Sequence, residues 1–221
     1  MIAHSRTFAG FALGSTLIAG LTCALAASAA PAPAKPAATA APATPPCEAC
    51  HGAHGEGMAA AHVPRIAGQS ADYLQKQLDD YADGTRDNPI MRNFAKALSE
   101  QQRAKFAARY AAMSAPYLAQ GKPPNAVHLA RGHQLAYQGD EAKRVQACNG
   151  CHGPDGVGVP HAAPYLAGQS AEFLASALKA FQDGTRKNDA GQLMRSVAER
   201  LDDADIAAVT GYFASVDPST H

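Results

Sequence analysis

The chain has 221 residues, 47% of them hydrophobic, and its 19 basic side chains are cancelled by 19 acidic ones. A balanced charge without a basic run excludes nucleic-acid binding as the main task. The length allows one or two domains.

The N-terminus reads as a secretory signal peptide over residues 1–29. His4 and Arg6 give a weakly positive start, Phe8 to Ala27 carries no charge, and Ala27-Ser28-Ala29 supplies an A-x-A-like cleavage site. The alternative is an uncleaved anchor, since a run of this length nearly spans a bilayer. Gly, Ser and Thr residues dilute it, and the Ala-rich exit suits a peptidase. Cys23 falls inside this segment and leaves with it, so the mature chain keeps four cysteines. Residues 30–46 are Ala/Pro-rich and read as an extended, disordered tether.

Next comes Cys47-Glu48-Ala49-Cys50-His51, and the pattern returns as Cys148-Asn149-Gly150-Cys151-His152. C-x-x-C-H is the attachment motif of c-type haem. Two thiols on one helical turn can each add to a vinyl group of the porphyrin, and the adjacent His presents its imidazole to the iron. Three other readings compete. A zinc site usually separates its cysteine pairs by about 15–20 residues, whereas these pairs lie far apart and each carries its own His. A thioredoxin-like centre needs one C-x-x-C in a strand-rich setting, and strand patterning is lacking. Two tight disulfides would brace little. Haem is the reading the spacing favours, with Cys47, Cys50, Cys148 and Cys151 as attachment points and His51 and His152 as iron ligands.

The rest of the chain is a duplication with a period of about 100 residues, which means two similar domains rather than a solenoid. Pro64-Arg65-Ile66-Ala67-Gly68-Gln69-Ser70 matches Pro164-Tyr165-Leu166-Ala167-Gly168-Gln169-Ser170, and Asp83-Gly84-Thr85-Arg86 matches Asp183-Gly184-Thr185-Arg186. Periodicity within each copy is helical. Ser70 is a predicted N-cap for a helix burying Leu74, Leu78 and Tyr81 and ending at Gly84; Ser170, Leu174, Leu178, Phe181 and Gly184 repeat it. A terminal helix opens at Ser99-Glu100 in one copy and Asp202-Asp203 in the other. The expected layout is a first domain over 47–113, a linker over 114–124 and a second domain over 125–221.

These blocks, in this order and present twice, resemble the di-haem cytochrome c4 family of class I c-type cytochromes. The resemblance covers residues 47–113 and about 126–217. It implies an all-α fold of two tandem class I cytochrome c domains, two covalently bound haems with His/Met coordination, and electron transfer in the bacterial periplasm. Met91 and Met194 stand where that family expects its distal ligands, each seven residues before a leucine, Leu98 and Leu201, with a three-residue insertion just before Met194. A thioether ligand raises the potential and closes the coordination sphere. Met58 follows His51 too closely and Met113 ends the terminal helix, so both read as filler. Pro64 and Pro164 match the family's loop proline, whose carbonyl accepts from the proximal His. Gln69, Gln169, Arg86 and Arg186 are candidates for haem propionates, or else for ordinary capping and surface charge. His62 and His161 precede the loop prolines at unequal offsets and read as solvated.

One departure from the family lies at the front. A predicted helix over about 126–137 precedes the second motif, but Pro45-Pro46 precede the first. Arg103 and Arg109 stand where the second copy has Ile206 and Tyr212, so the first domain lacks one wall, which another part of the chain or a partner would cover. The function expected is a periplasmic electron carrier, not an enzyme, working between respiratory donor and acceptor proteins such as a terminal oxidase, with no membrane span in the mature chain. The rivals are a cytochrome subunit dedicated to one dehydrogenase or oxidase complex, and a haem enzyme such as a peroxidase or sulfur-compound oxidoreductase. The last needs an exchangeable iron position, against which two in-place Met ligands argue.

Overall fold

The computed structural model describes residues 47–114, 117 and 124–217; the expected signal peptide, the expected tether and most of the expected linker lie outside the described residues. In the first copy, α1 (Glu48–His51) carries the thiol motif and is followed by α2 (Ala71–Asp83), α3 (Pro89–Ala97) and α4 (Glu100–Ala111). In the second, α5 (Ala126–Tyr137) precedes α6 (Asn149–His152), α7 (Ala171–Gln182), α8 (Leu193–Ala198) and α9 (Asp203–Ser215). Among the described residues there are no strands, only isolated bridges. The fold is all-α, as the sequence predicts.

Short polar side chains set the helix starts. Ser70 Oγ accepts from the Tyr73 amide and Ser170 Oγ from the Phe173 amide, satisfying first-turn donors that the helix leaves orphaned. Ser99 and Gln102 form a complete capping box on α4, and Asp202 caps α9. Gly84 ends α2 at φ 89°, a left-handed turn that a side chain would strain.

In the second copy α9 packs on α5 and α7. Leu135, Val145, Leu174, Ile206, Val209 and Phe213 form its core, each burial contributing about 1.5–3 kcal/mol. Gly132 lets α5 and α9 approach closely, since a Cβ there would lie 2.2 Å from the Ala208 carbonyl oxygen and 2.6 Å from Tyr212 Cβ. In the first copy α2 packs on α3 and α4, with Tyr81, Ala95, Leu98, Ala107 and Tyr110 buried. Leu74 and Leu78 are half-buried, and Gln77 joins Tyr81 as a buried residue of that helix instead.

Among the described residues the first copy has no α5 counterpart, and its α4 surface differs accordingly. The α4 positions facing outward there are Lys105 and Arg109, exposed, where α9 has Ala208 and Tyr212, buried. Arg109 pairs with Glu48 at 2.6 Å. Arg103 pairs with Asp79 and donates to the Leu98 carbonyl at 2.8 Å. This side of the first copy is therefore polar where its counterpart is apolar.

The described residues all belong to one unit, so the two copies pack together. The contacts are reciprocal, as in an isologous interface. The Gln69 carboxamide binds Tyr165, accepting from its N–H and donating to its C=O, both at 3.1 Å. Gln169 does the same to Arg65, both at 2.9 Å.

Candidate functional site: two thiol–imidazole clusters

The first cluster is built on a single turn. The Cys50 and His51 amides both bond back to the Cys47 carbonyl, at 3.2 and 2.9 Å, which winds the two thiols and the imidazole onto one helical turn. The second repeats it, with Cys151 and His152 bonding to the Cys148 carbonyl at 3.2 and 2.9 Å. Cys47 and Cys148 are half-buried and Cys50 and Cys151 exposed, and all four thiols are unpaired, so no disulfide forms here. Burial pushes the Cys148 thiol up to about 11 and raises that of Cys47, the latter offset in part by the Tyr110 hydroxyl. Among the described residues, no three His, Cys, Asp or Glu side chains converge as a metal cage.

His51 and His152 are buried, 8% and 7% exposed. Each ring has one committed nitrogen: His51 Nδ1 lies 2.9 Å from the Pro64 carbonyl oxygen and His152 Nδ1 lies 2.7 Å from that of Pro164. A carbonyl can only accept, so Nδ1 carries the proton and Nε2 keeps its lone pair. Burial lowers both histidine pKa values, only partly offset by the carbonyls, so the rings stay neutral. A buried neutral imidazole with an anchored Nδ1–H and a free Nε2 is the form a metal requires.

Met91 and Met194 are half-buried. Met91 lies in the first turn of α3, its amide held by the Asn88 side chain at 2.9 Å. In the second copy the inserted residues form a 3-10 turn over Ala190–Gln192, and α8 starts at Leu193. Asn188, no longer a cap, donates instead to Gln77 at 2.9 Å and to Asp80 across the interface. Ile90 and Leu193, just before each Met, are exposed at 64% and 67%.

Gln69 and Gln169 are not surface groups; their carboxamides are taken up by the other copy's backbone. Arg86 and Arg186 are buried beside one another across the interface, over the rings of Tyr81 and Phe181 at 4.6 and 4.4 Å. Among the described residues neither makes a carboxylate ion pair. Gln77 Oε1 accepts from Arg86 at 2.7 Å and Arg186 at 3.2 Å, and Arg186 also donates to the Tyr73 hydroxyl at 3.1 Å. Burial alone would raise the Tyr73 pKa, but the Arg186 and Arg86 guanidiniums outweigh it and hold the hydroxyl low. Two buried cations without carboxylates suit the anionic edge of a haem. With the thiol pairs and the half-free imidazoles, the residues fit the group.

Sequence reasoning missed Tyr73, Gln77, Asp80 and Asn188 as parts of this junction. The available signal was a break in the repeat, since the second copy has Phe173, Ala177 and Ala180 at the first three positions. His62 and His161 also reach across, to the Ser176 hydroxyl at 3.0 Å and to Asp72, and neither joins a thiol cluster. Met58 is exposed and Met113 half-buried.

The cytochrome c family model matches residues 37–110 and 129–217. A crystal structure of reduced recombinant cytochrome c4 from Pseudomonas stutzeri superposes with a TM-score of 0.69 at 33% identity, covering 77% of this chain and 93% of that one. The chain belongs to the di-haem cytochrome c4 family. Like other members it is an electron-transfer cytochrome with covalently bound c-type haem. Another relative, a thiosulfate dehydrogenase electron acceptor of Stutzerimonas stutzeri strain A1501, is 45% identical over 72% of this chain and 74% of its own. A thiosulfate dehydrogenase (TsdBA) structure from Marichromatium purpuratum gives a TM-score of 0.72 at 36% identity. The match covers 78% of this chain but only 37% of that longer one. No helix among the described residues is long and apolar enough to cross a membrane.

Proposed function

We propose that this cytochrome c4 is a periplasmic di-haem carrier that accepts electrons from a thiosulfate-oxidising dehydrogenase and passes them to a respiratory acceptor. The observation that carries the haem count is the second thiol–imidazole turn, with the same backbone winding and the same Nδ1–carbonyl contact as the first. Support for the donor is the relative named as a thiosulfate dehydrogenase electron acceptor and the likeness to a thiosulfate dehydrogenase structure. This favours the dedicated-partner reading over a general donor.

In this reading Cys47, Cys50, Cys148 and Cys151 would hold the haems, and His51, His152, Met91 and Met194 would ligate the irons. Haem supplies a one-electron couple at each site. The chain does the rest. The Pro64 and Pro164 carbonyls fix the imidazole tautomer and raise its basicity. Arg86 and Arg186 place positive charge where the copies meet, which favours the reduced, less positive state. Ile90 and Leu193 form a small apolar rim beside each distal Met, where a partner can dock without displacing tightly held water. Oxidation of a sulfur substrate removes electrons in pairs, and two sites on one chain can accept a pair. The first domain's polar open side, bearing Lys105 and Arg109, stays in water in this account and needs no apolar cover.

The test is reduction kinetics. Oxidised protein, purified thiosulfate dehydrogenase and thiosulfate, mixed without oxygen, should give rapid appearance of the ferrous visible bands at both sites. Thiosulfate without the dehydrogenase should leave the protein oxidised. If the dehydrogenase brings no acceleration, the proposed donor is wrong; if thiosulfate alone reduces the protein rapidly, the chain is itself the oxidoreductase.

A further inference from the structure

One peptide group in each copy has its two hydrogen-bond partners in different domains. The Pro64–Arg65 peptide accepts from His51 Nδ1 through the Pro64 carbonyl at 2.9 Å, and donates through the Arg65 N–H to Gln169 Oε1 at 2.9 Å. The Pro164–Tyr165 peptide accepts from His152 Nδ1 at 2.7 Å and donates through the Tyr165 N–H to Gln69 Oε1 at 3.1 Å. His51, Arg65, Gln69, His152, Tyr165 and Gln169 are all buried.

From this we infer that Gln169 tunes the first domain's haem and Gln69 tunes the second's, each acting across the interface through one peptide group and one histidine. The physics is hydrogen-bond cooperativity. An acceptor on the peptide N–H draws positive charge to that end and increases negative charge on the carbonyl oxygen. A stronger carbonyl acceptor pulls harder on the imidazole Nδ1–H, so Nε2 becomes more electron-rich. A more basic ligand favours the oxidised iron and lowers the potential.

The glutamines suit this role for two reasons. Each grips the same residue twice, through its N–H and its C=O, so the acceptor is fixed in direction. Each Oε1 also accepts from the following serine amide, Ser70 at 3.0 Å and Ser170 at 3.1 Å, which fixes the carboxamide to the start of α2 or α7. Docking of the two domains is thereby read at both histidines. Gln69 and Gln169 are positioning residues, since they touch neither the imidazoles nor the thiols.

The inference rests on His51 and His152 as iron ligands. It is tested in the full holoprotein with Gln169→Met and Gln69→Met, each haem's potential being resolved by NMR-monitored redox titration. Gln169→Met should raise the first haem's potential and leave the second's in place, and Gln69→Met should do the reverse. The Nδ1–H resonance of the opposite domain's histidine, read in the reduced diamagnetic state, should move with the potential. A loosened interface would instead shift both haems in both variants, and that result, or unchanged potentials, overturns the inference. Gln169→Asn, whose carboxamide is one methylene short of Arg65, repeats the test if the apolar variant does not fold. Absence of a low-spin, histidine-ligated spectrum in the unmodified protein would fail the ligand reading itself, which keeps the two failures apart.

Discussion

Arg86 and Arg186 are paired in an antiparallel bridge across the domain boundary, two buried guanidiniums sharing one acceptor, Gln77 Oε1. Like charges this close repel, and burial with that repulsion pushes the Arg86 pKa down. Each gains an aromatic ring beneath it, and an anion between them would be held by both. In the proposed reading the pair would couple the packing of the two copies to their redox chemistry.

Replacing either arginine should lower the potential by tens of millivolts, because removing a cation favours the more positive, oxidised state. Arg186→Gln should have the wider effect, since it also releases Tyr73. Spectroelectrochemical titration of each variant checks this. Unchanged potentials would mean that the guanidiniums serve packing alone.

Met91→Ala and Met194→Ala should each convert one haem to a high-spin or alternatively ligated form and lower its potential, through loss of the thioether. The absorbance band sensitive to thioether ligation should halve in each single variant and vanish in the double one. A variant that keeps the full band and an unchanged potential has lost only a packing side chain.

Gly132→Ala should destabilise the second copy by about 1–3 kcal/mol, because the added methyl overpacks the α5–α9 contact at the Ala208 carbonyl. Thermal unfolding followed by helix signal reads the effect. Among the described residues the first copy has no equivalent contact, so a biphasic melt should shift in one phase only.

Asp205 gives a pH dependence of defined sign. It is buried on α9, accepting from Arg131 at 2.8 Å and pairing with Lys143. Burial alone would raise its pKa, but these two partners outweigh it and hold the carboxyl below its ordinary value. A depressed folded pKa contributes stability above the ordinary carboxylate range, lost as pH falls through the folded value. Asp205→Asn should cost about 1–3 kcal/mol at neutral pH, and urea unfolding should show the gap to wild type closing in acid. A gap constant with pH would mean that the carboxylate's charge contributes nothing.

The parts of this architecture legible in the sequence are those governed by local rules. Ser70, Ser170, Ser99 and Asp202 act on amides three residues ahead, so their capping follows from sequence position. The Pro64 and Pro164 carbonyl contacts were legible through the family resemblance. Gln69 and Gln169 were recognised as repeated polar residues, but their partners lie across the interface, where no local periodicity points. Asn188 illustrates the same limit: it matches Asn88 in sequence, yet the inserted residues turn it from a helix cap into a tie to the other domain.

The central claim is that both thiol–imidazole turns carry haem in one electron-transfer chain. Intact-mass spectrometry of the mature protein after acid-acetone extraction tests it most directly. The account predicts a polypeptide mass plus two haem masses, falling to one in Cys47→Ser/Cys50→Ser and likewise in Cys148→Ser/Cys151→Ser. A wild-type mass with a single retained haem, or none, would contradict it.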